Sequence, residues 1–106
     1  MDEMSQDRAF VTITEMVDEA GQVTLALTGE LDFSNSAELR EAVARILDSQ
    51  PSGLIFDLTE LSFSDSSGIS VILYAHNNLT NVRLRNPSSI VERVIQTMGL
   101  AEVLQS

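Results

Sequence analysis

Leu54-Ile55-Phe56-Asp57-Leu58, then Thr59-Glu60-Leu61-Ser62-Phe63-Ser64, then Asp65-Ser66-Ser67-Gly68-Ile69 carry the chain from a strand into a helix. The first five residues are a short, nearly continuous apolar run, as expected of a strand covered on both faces in a parallel sheet. Thr59 to Asp65 reads as a loop. Asp65 then caps a helix by offering its carboxylate to the free amides of the first turn. Ile69, Ile72, Leu73 and, at the margin, His76 lie on its inward side, and it runs out at Asn77-Asn78.

Working outward, Leu39, Ala42, Val43, Ile46 and Leu47 recur at helical spacing, behind a cap at Asn35 with Glu38 three residues on. Pro51-Ser52-Gly53 stops that helix. Phe10 to Val17 and Val23 to Thr28 are β-branched, roughly alternating runs across the turn Asp18-Glu19-Ala20-Gly21, a hairpin pattern in which Gly29 ends the second strand. Beyond the central segment come a brief strand at Val82-Arg83-Leu84 and a helix opened by Pro87-Ser88. That helix turns Val91, Val94, Ile95 and Met98 inward, Gly99 closes it, and Leu100 to Leu104 suit one more helical turn.

The order is ββαβαβα plus a short C-terminal helix. The fold class is α/β, with a mixed, mainly parallel sheet of four to five strands, an N-terminal hairpin and three to four helices. Parallel strands imply right-handed crossovers. Residues 1–8 read as a flexible tail and residues 9–106 as a single domain. In such a sheet the loops leaving the carboxyl ends of the strands gather at one edge. Those loops are Gly29 to Asp32, Thr59 to Asp65 and Arg85-Asn86-Pro87, so Asp32 and Ser66 should share a rim.

Composition narrows the function. The net charge is −10 with no lysine, which argues against nucleic acid as a partner. Residues 1–65 hold 14 acids against three arginines, whereas residues 66–106 hold two acids against three arginines. The acidic half reads as a solvated surface, or as steering toward a basic partner. No apolar run approaches the roughly 18 residues of a membrane span, and the acidic N-terminus is no secretory signal. Without cysteine there is neither a disulfide nor a thiolate metal site, and no cofactor motif is present. The expected address is the cytoplasm, with no direct membrane contact. His76 lies ten positions beyond Ser66 on one helix, roughly 15 Å away at 1.5 Å per residue, too far for a Ser-His-Asp triad. Nor is there a phosphate loop with a lysine. The chain does not read as an enzyme.

The start of the Asp65 helix carries the functional signal. Ser66 and Ser67 are mediocre helix formers, and Gly68 costs about 0.5–1 kcal/mol against alanine inside a helix. Small residues there leave backbone bare for a partner or a phosphate. A phosphate on the Ser66 hydroxyl would gain from the helix dipole and from free amides. It would add about −1.5 to −2 charges beside Asp65. Phe33, Leu61 and Phe63 read as core, although an exposed apolar patch at the rim would favour docking. Asp57 and Glu60 read as solvated loop acids.

Leu27-Thr28-Gly29-Glu30-Leu31-Asp32, then Asp57 to Gly68, then Asn86-Pro87-Ser88 with Val91, Arg93 and Met98-Gly99-Leu100 together resemble the STAS-domain anti-sigma factor antagonists of bacteria. The resemblance spans roughly residues 10–104. It implies a partner-switching protein that, unphosphorylated, binds an anti-sigma factor with serine-kinase activity and so frees a sigma factor. The kinase would switch it off by phosphorylating the first serine of Asp-Ser-Ser-Gly, here Ser66, and a protein phosphatase would reverse this. Asp65, Ser67 and Gly68 would form the surrounding surface, with Glu30 and Asp32 on the shared rim. The family usually has an apolar residue where Ser64 stands and glycine where Ser70 stands. Those departures imply a looser helix start, a more polar partner-facing surface, and Ser64 or Ser67 as further modification sites. The rival reading is a STAS-like structural subunit of a signalling assembly, or an accessory subunit of a membrane transport complex.

Overall fold

The computed structural model describes residues 9–100, and in it the expected alternation of strands and helices is present. β1 (Val11–Val17) and β2 (Gln22–Leu31) form the hairpin; α1 (Ser36–Asp48), β3 (Gly53–Ser64), α2 (Ser66–Asn78), β4 (Val82–Arg85) and α3 (Ser89–Thr97) follow. The sheet order is β1-β2-β3-β4, antiparallel for the first pair and parallel for the other two. The expected tail over residues 1–8 and all but Leu100 of the final turn lie outside the described residues.

The hairpin turn closes as its residues demand. The Asp18 carboxylate accepts the amides of Ala20 and Gln22, each at 2.9 Å, and Gly21 takes φ +85°. Val23, Leu25 and Leu27 of β2 align with Leu54, Phe56 and Leu58 of β3 on one sheet face, and all six are buried. The three helices pack there, contributing Leu39, Val43, Ile46, Ile69, Ile72, Ala75, Val91 and Ile95 to one core. Arg40 of α1 also stacks over the Tyr74 ring of α2, 4.3 Å from its centroid. The Ser88 hydroxyl caps α3 by accepting the Val91 amide, and Gly99 closes it at φ +80°.

Coverage of β3 on both faces is not what the fold provides. No described helix packs on the second face, where Thr12, Thr14, Met16, Thr28, Arg83 and Arg85 are exposed. Ile55 on that face is buried instead in a shallow cleft lined by Arg83, Leu84, Arg85 and Asn86.

Two expected loops are strand. Gly29 does not end β2, which runs on to Leu31. Its φ of +110° and missing Cβ let the Phe10 carbonyl approach, where any side chain would collide. Residues 59–64 continue β3 through two bulges: Ala26 pairs with Asp57 but Thr28 with Glu60, and Gly29 pairs with Leu61 but Glu30 with Phe63. Each shift inserts one extra residue on β3. The inward positions therefore become Leu58, Leu61 and Ser64, three apart instead of two, so the alternation that identifies a strand is absent from the sequence.

The cap of α1 is also corrected. Asn35 stands at the N-cap but spends its side chain elsewhere. Buried, it accepts the Asp32 amide at 2.9 Å and donates to the carbonyls of Glu30 at 3.0 Å and Ala9 at 3.2 Å. It thus clasps the lead-in to β1, the end of β2 and the following turn. Asn35→Ala would leave three part-buried backbone groups without their partner and should cost about 2–4 kcal/mol. For a domain of this size, thermal unfolding should show that as a fall in Tm of roughly 10–20 °C.

Gly68 explains itself by packing rather than by an open backbone. It is buried, and a Cβ there would meet the Ser64 hydroxyl and lie 2.6 Å from Leu31 Cδ2. The glycine lets α2 press against the end of β2. Gly68→Ala should therefore destabilise by about 1–3 kcal/mol in urea unfolding. A gain of up to about 1 kcal/mol, the ordinary result of replacing a helical glycine with alanine, would contradict that account.

Candidate functional site

Leu31 and Ser64 are partners in the parallel register, so β2 and β3 leave the sheet side by side. The Asp65 amide donates to the Leu31 carbonyl at 3.1 Å, which ties the start of α2 to the end of β2. The turn bearing Asp32 and the helix bearing Ser66 accordingly share one rim, as the parallel topology requires.

Ser66 is the first residue of α2 and is exposed. Among the described residues its hydroxyl has no hydrogen-bond partner. Asp65 Oδ1 accepts the amides of Ser67 at 2.8 Å and Gly68 at 3.2 Å, and the Asp65 carbonyl accepts that of Ile69 at 3.2 Å. Of the first-turn amides expected to be free for a phosphate, those of Ser67 and Gly68 are thus already engaged and, among the described residues, that of Ser66 is not. The helix dipole remains, but a phosphate on Ser66 would point to solvent beside a carboxylate.

The other site residues divide by burial. Ser64 is fully buried, donating its hydroxyl to the Asp65 carbonyl at 3.0 Å. It neither loosens the helix start nor faces a partner, and a modifying enzyme cannot reach it in this structure. Gly68 is likewise interior. Ser67 is half-buried, while Ser70 is exposed and donates to the Ser66 carbonyl at 2.8 Å. Glu30 is exposed at the end of β2. Asp32 accepts the Ser34 hydroxyl at 2.6 Å and the Ser34 amide at 2.8 Å, and these bonds hold its carboxyl below the ordinary value of 3.8. The rim therefore carries fixed negative charge at neutral pH.

Phe33 and Phe63 were expected in the core, and both are exposed. Phe33 stands in the turn after Asp32, and Phe63 is turned outward by the second bulge; Leu61 alone of the three is interior. Asp57 and Glu60 are strand residues, not loop acids. Asp57 is half-buried and accepts the Thr59 hydroxyl at 2.6 Å, with Arg85 3.8 Å away. Hydrogen bonding from Thr59 first, and Arg85 in addition, lower its carboxyl from the ordinary value. His76 stands ten positions beyond Ser66 along α2, out of reach of its hydroxyl. Reading the sequence missed Asn35 as the clasp of the rim, because an asparagine before a helix has an obvious local role. It missed the outward phenylalanines because residue type alone signals burial.

Several known proteins are similar to this chain in sequence and fold. The STAS domain matches residues 13–105. The "Anti-sigma F factor antagonist" of Lysinibacillus sphaericus is 35% identical over 83 residues, covering 74% of this chain and 71% of that protein. The "Anti-sigma-F factor antagonist RsfB" of Mycobacterium tuberculosis is 27% identical over 93 residues, covering 85% and 75%. SpoIIAA, an anti-sigma factor antagonist solved in its unphosphorylated form, superposes with a TM-score of 0.78 at 27% identity over 87% of this chain and 84% of that one. The phosphorylated form of SpoIIAA, from Bacillus, gives 0.72 at 26% identity over 87% of each. A STAS domain matched over almost all its length, with relatives named as anti-sigma factor antagonists, places this chain in the STAS-domain family.

Proposed function

We propose that this protein is an anti-sigma factor antagonist switched at Ser66. Unphosphorylated, it binds an anti-sigma factor with serine-kinase activity through the rim around Ser66, and a sigma factor is released. Phosphorylation of Ser66 by that partner ends binding, and a protein phosphatase restores it. The cycle would run in the cytoplasm, and no described helix is long and apolar enough to cross a membrane.

The observation that carries this reading is the exposed Ser66 hydroxyl at the start of a helix whose cap is complete without it. Because Asp65 already holds the Ser67 and Gly68 amides, a phosphate would leave α2 folded. The Ser66 amide alone would be left to it as a backbone donor there. A partner covering the rim would have to strip water from a dianion standing beside Asp65, a cost that opposes docking directly. The switch acts through surface charge and desolvation at a preformed site. That relatives carry the name of antagonist, and that SpoIIAA occurs in phosphorylated and unphosphorylated forms with this fold, supports the proposal.

Incubation with the purified kinase partner and ATP should add one phosphate, located on Ser66 by mass spectrometry. Ser66→Ala should bind the anti-sigma factor and take no label, whereas Ser66→Asp should bind at least about tenfold more weakly, a loss of about 1.4 kcal/mol. A label found only on other residues, or equal binding by both variants, would refute the switch. Failure to bind any anti-sigma factor would favour a structural or accessory role.

A further inference from the structure

Three of the four phenylalanines of this chain are exposed: Phe10 at 76%, Phe33 at 80% and Phe63 at 40%, with only Phe56 in the core. Phenylalanine is ordinarily among the most buried residues, so three at one end of the sheet call for a cause. The Glu30 amide donates to the Phe10 carbonyl at 2.8 Å, and Glu30 pairs with Phe63, so Phe10, Glu30 and Phe63 form one rung across β1, β2 and β3. Val11, Leu31 and Ser64, their chain neighbours, turn toward the core. The alternation of strand side chains then sets Phe10, Glu30 and Phe63 on the face without helices. Phe33 stands just beyond, in the turn after β2. At about 200 Å² per ring, the exposed aromatic surface is on the order of 400 Å², the size of patch that marks an interaction site on a monomer.

We infer that Phe10, Phe33 and Phe63 are the apolar anchors of the docking surface, so that the partner straddles the rim from Ser66 to the open face of the sheet. This rests on the docking proposed above. The rings need shallow apolar pockets, and Glu30 between two of them needs a cation opposite, so the fitting occupant is an anti-sigma factor with apolar pockets beside an Arg or Lys. Charge argues against a second copy in that place: the chain carries −10 overall, and Glu30 and Asp32 of one copy would meet the acids of another. Division of labour follows. The rings, Phe10 and Phe63 on the open face and Phe33 in the turn after β2, supply affinity, while Ser66 at the helix start decides whether the two surfaces close.

The test is titration of the purified anti-sigma factor of the same organism with wild type, Phe10→Ser, Phe33→Ser, Phe63→Ser, the triple variant and Ser66→Asp, alongside light scattering of each. Phe33→Ser, the most exposed site, should keep the wild-type unfolding curve and lose about tenfold in affinity, as aromatic anchors do. The triple variant should lose at least a hundredfold. Phenylalanine variants that bind as wild type while Ser66→Asp fails would overturn this surface and leave the switch standing. The reverse pattern would sink the switch alone. A wild-type dimer that the triple variant reduces to monomer would show that the patch serves self-association and overturn the occupant named here.

Discussion

The hydrogen bond from the Asp65 amide to the Leu31 carbonyl, formed where two parallel strands leave the sheet together, is the constraint on which the rest of this protein depends. It joins the last residue of β2 to the cap of α2, and so brings into one rim residues that lie more than thirty positions apart. Gly68 makes the joint close by letting the helix settle on Leu31 and Ser64. Asn35 fixes the other side, holding the chain at Ala9, Glu30 and Asp32 with a single buried amide. Around that fixed geometry, the exposed hydroxyl of Ser66 has one definable position.

A helix start capped by its own Asp65 has consequences for signalling. Asp65 has taken up the amides of Ser67 and Gly68, which leaves a phosphate only the Ser66 amide, so most of the added charge would not be absorbed into the structure. The added charge would stay at the surface, next to an existing carboxylate and on a rim where Asp32 is held ionised by Ser34. Such a device needs no unfolding and no second conformation. Its effect falls on whatever must cover it, because burying an unpaired dianion is costly while exposing it is not.

The two bulges of β3 give the rim its chemistry. Removing either one would exchange the faces of the final rung and turn Phe63 inward, while removing both would turn Leu61 outward and Glu60 inward. With them, Ser64 enters the core with Leu31 while Phe63 stands outward beside Glu30. A polar residue at a family position that is usually apolar is thus accommodated inside, where its hydroxyl finds the Asp65 carbonyl.

The sequence by itself determined the element order, the hairpin turn at Asp18–Gly21, the inward stripes of α1 and α3, the Asp65 cap, and the meeting of Asp32 with Ser66. These follow from local chemistry and repeat spacing: a carboxylate that caps, a glycine that turns, apolar residues every three to four positions, and parallel strands that share an exit edge. Only the tertiary structure decided that Gly29 and residues 59–64 are strand, that Asn35 clasps backbone instead of capping, that Gly68 is a packing contact, and that Phe33 and Phe63 face outward. Each of these depends on where a distant segment runs. Gly29 answers to the Phe10 carbonyl, Gly68 to Leu31, Asn35 to Ala9, and Phe63 to the register of β2. Spacing along a chain carries no information about such approaches until the strands have paired.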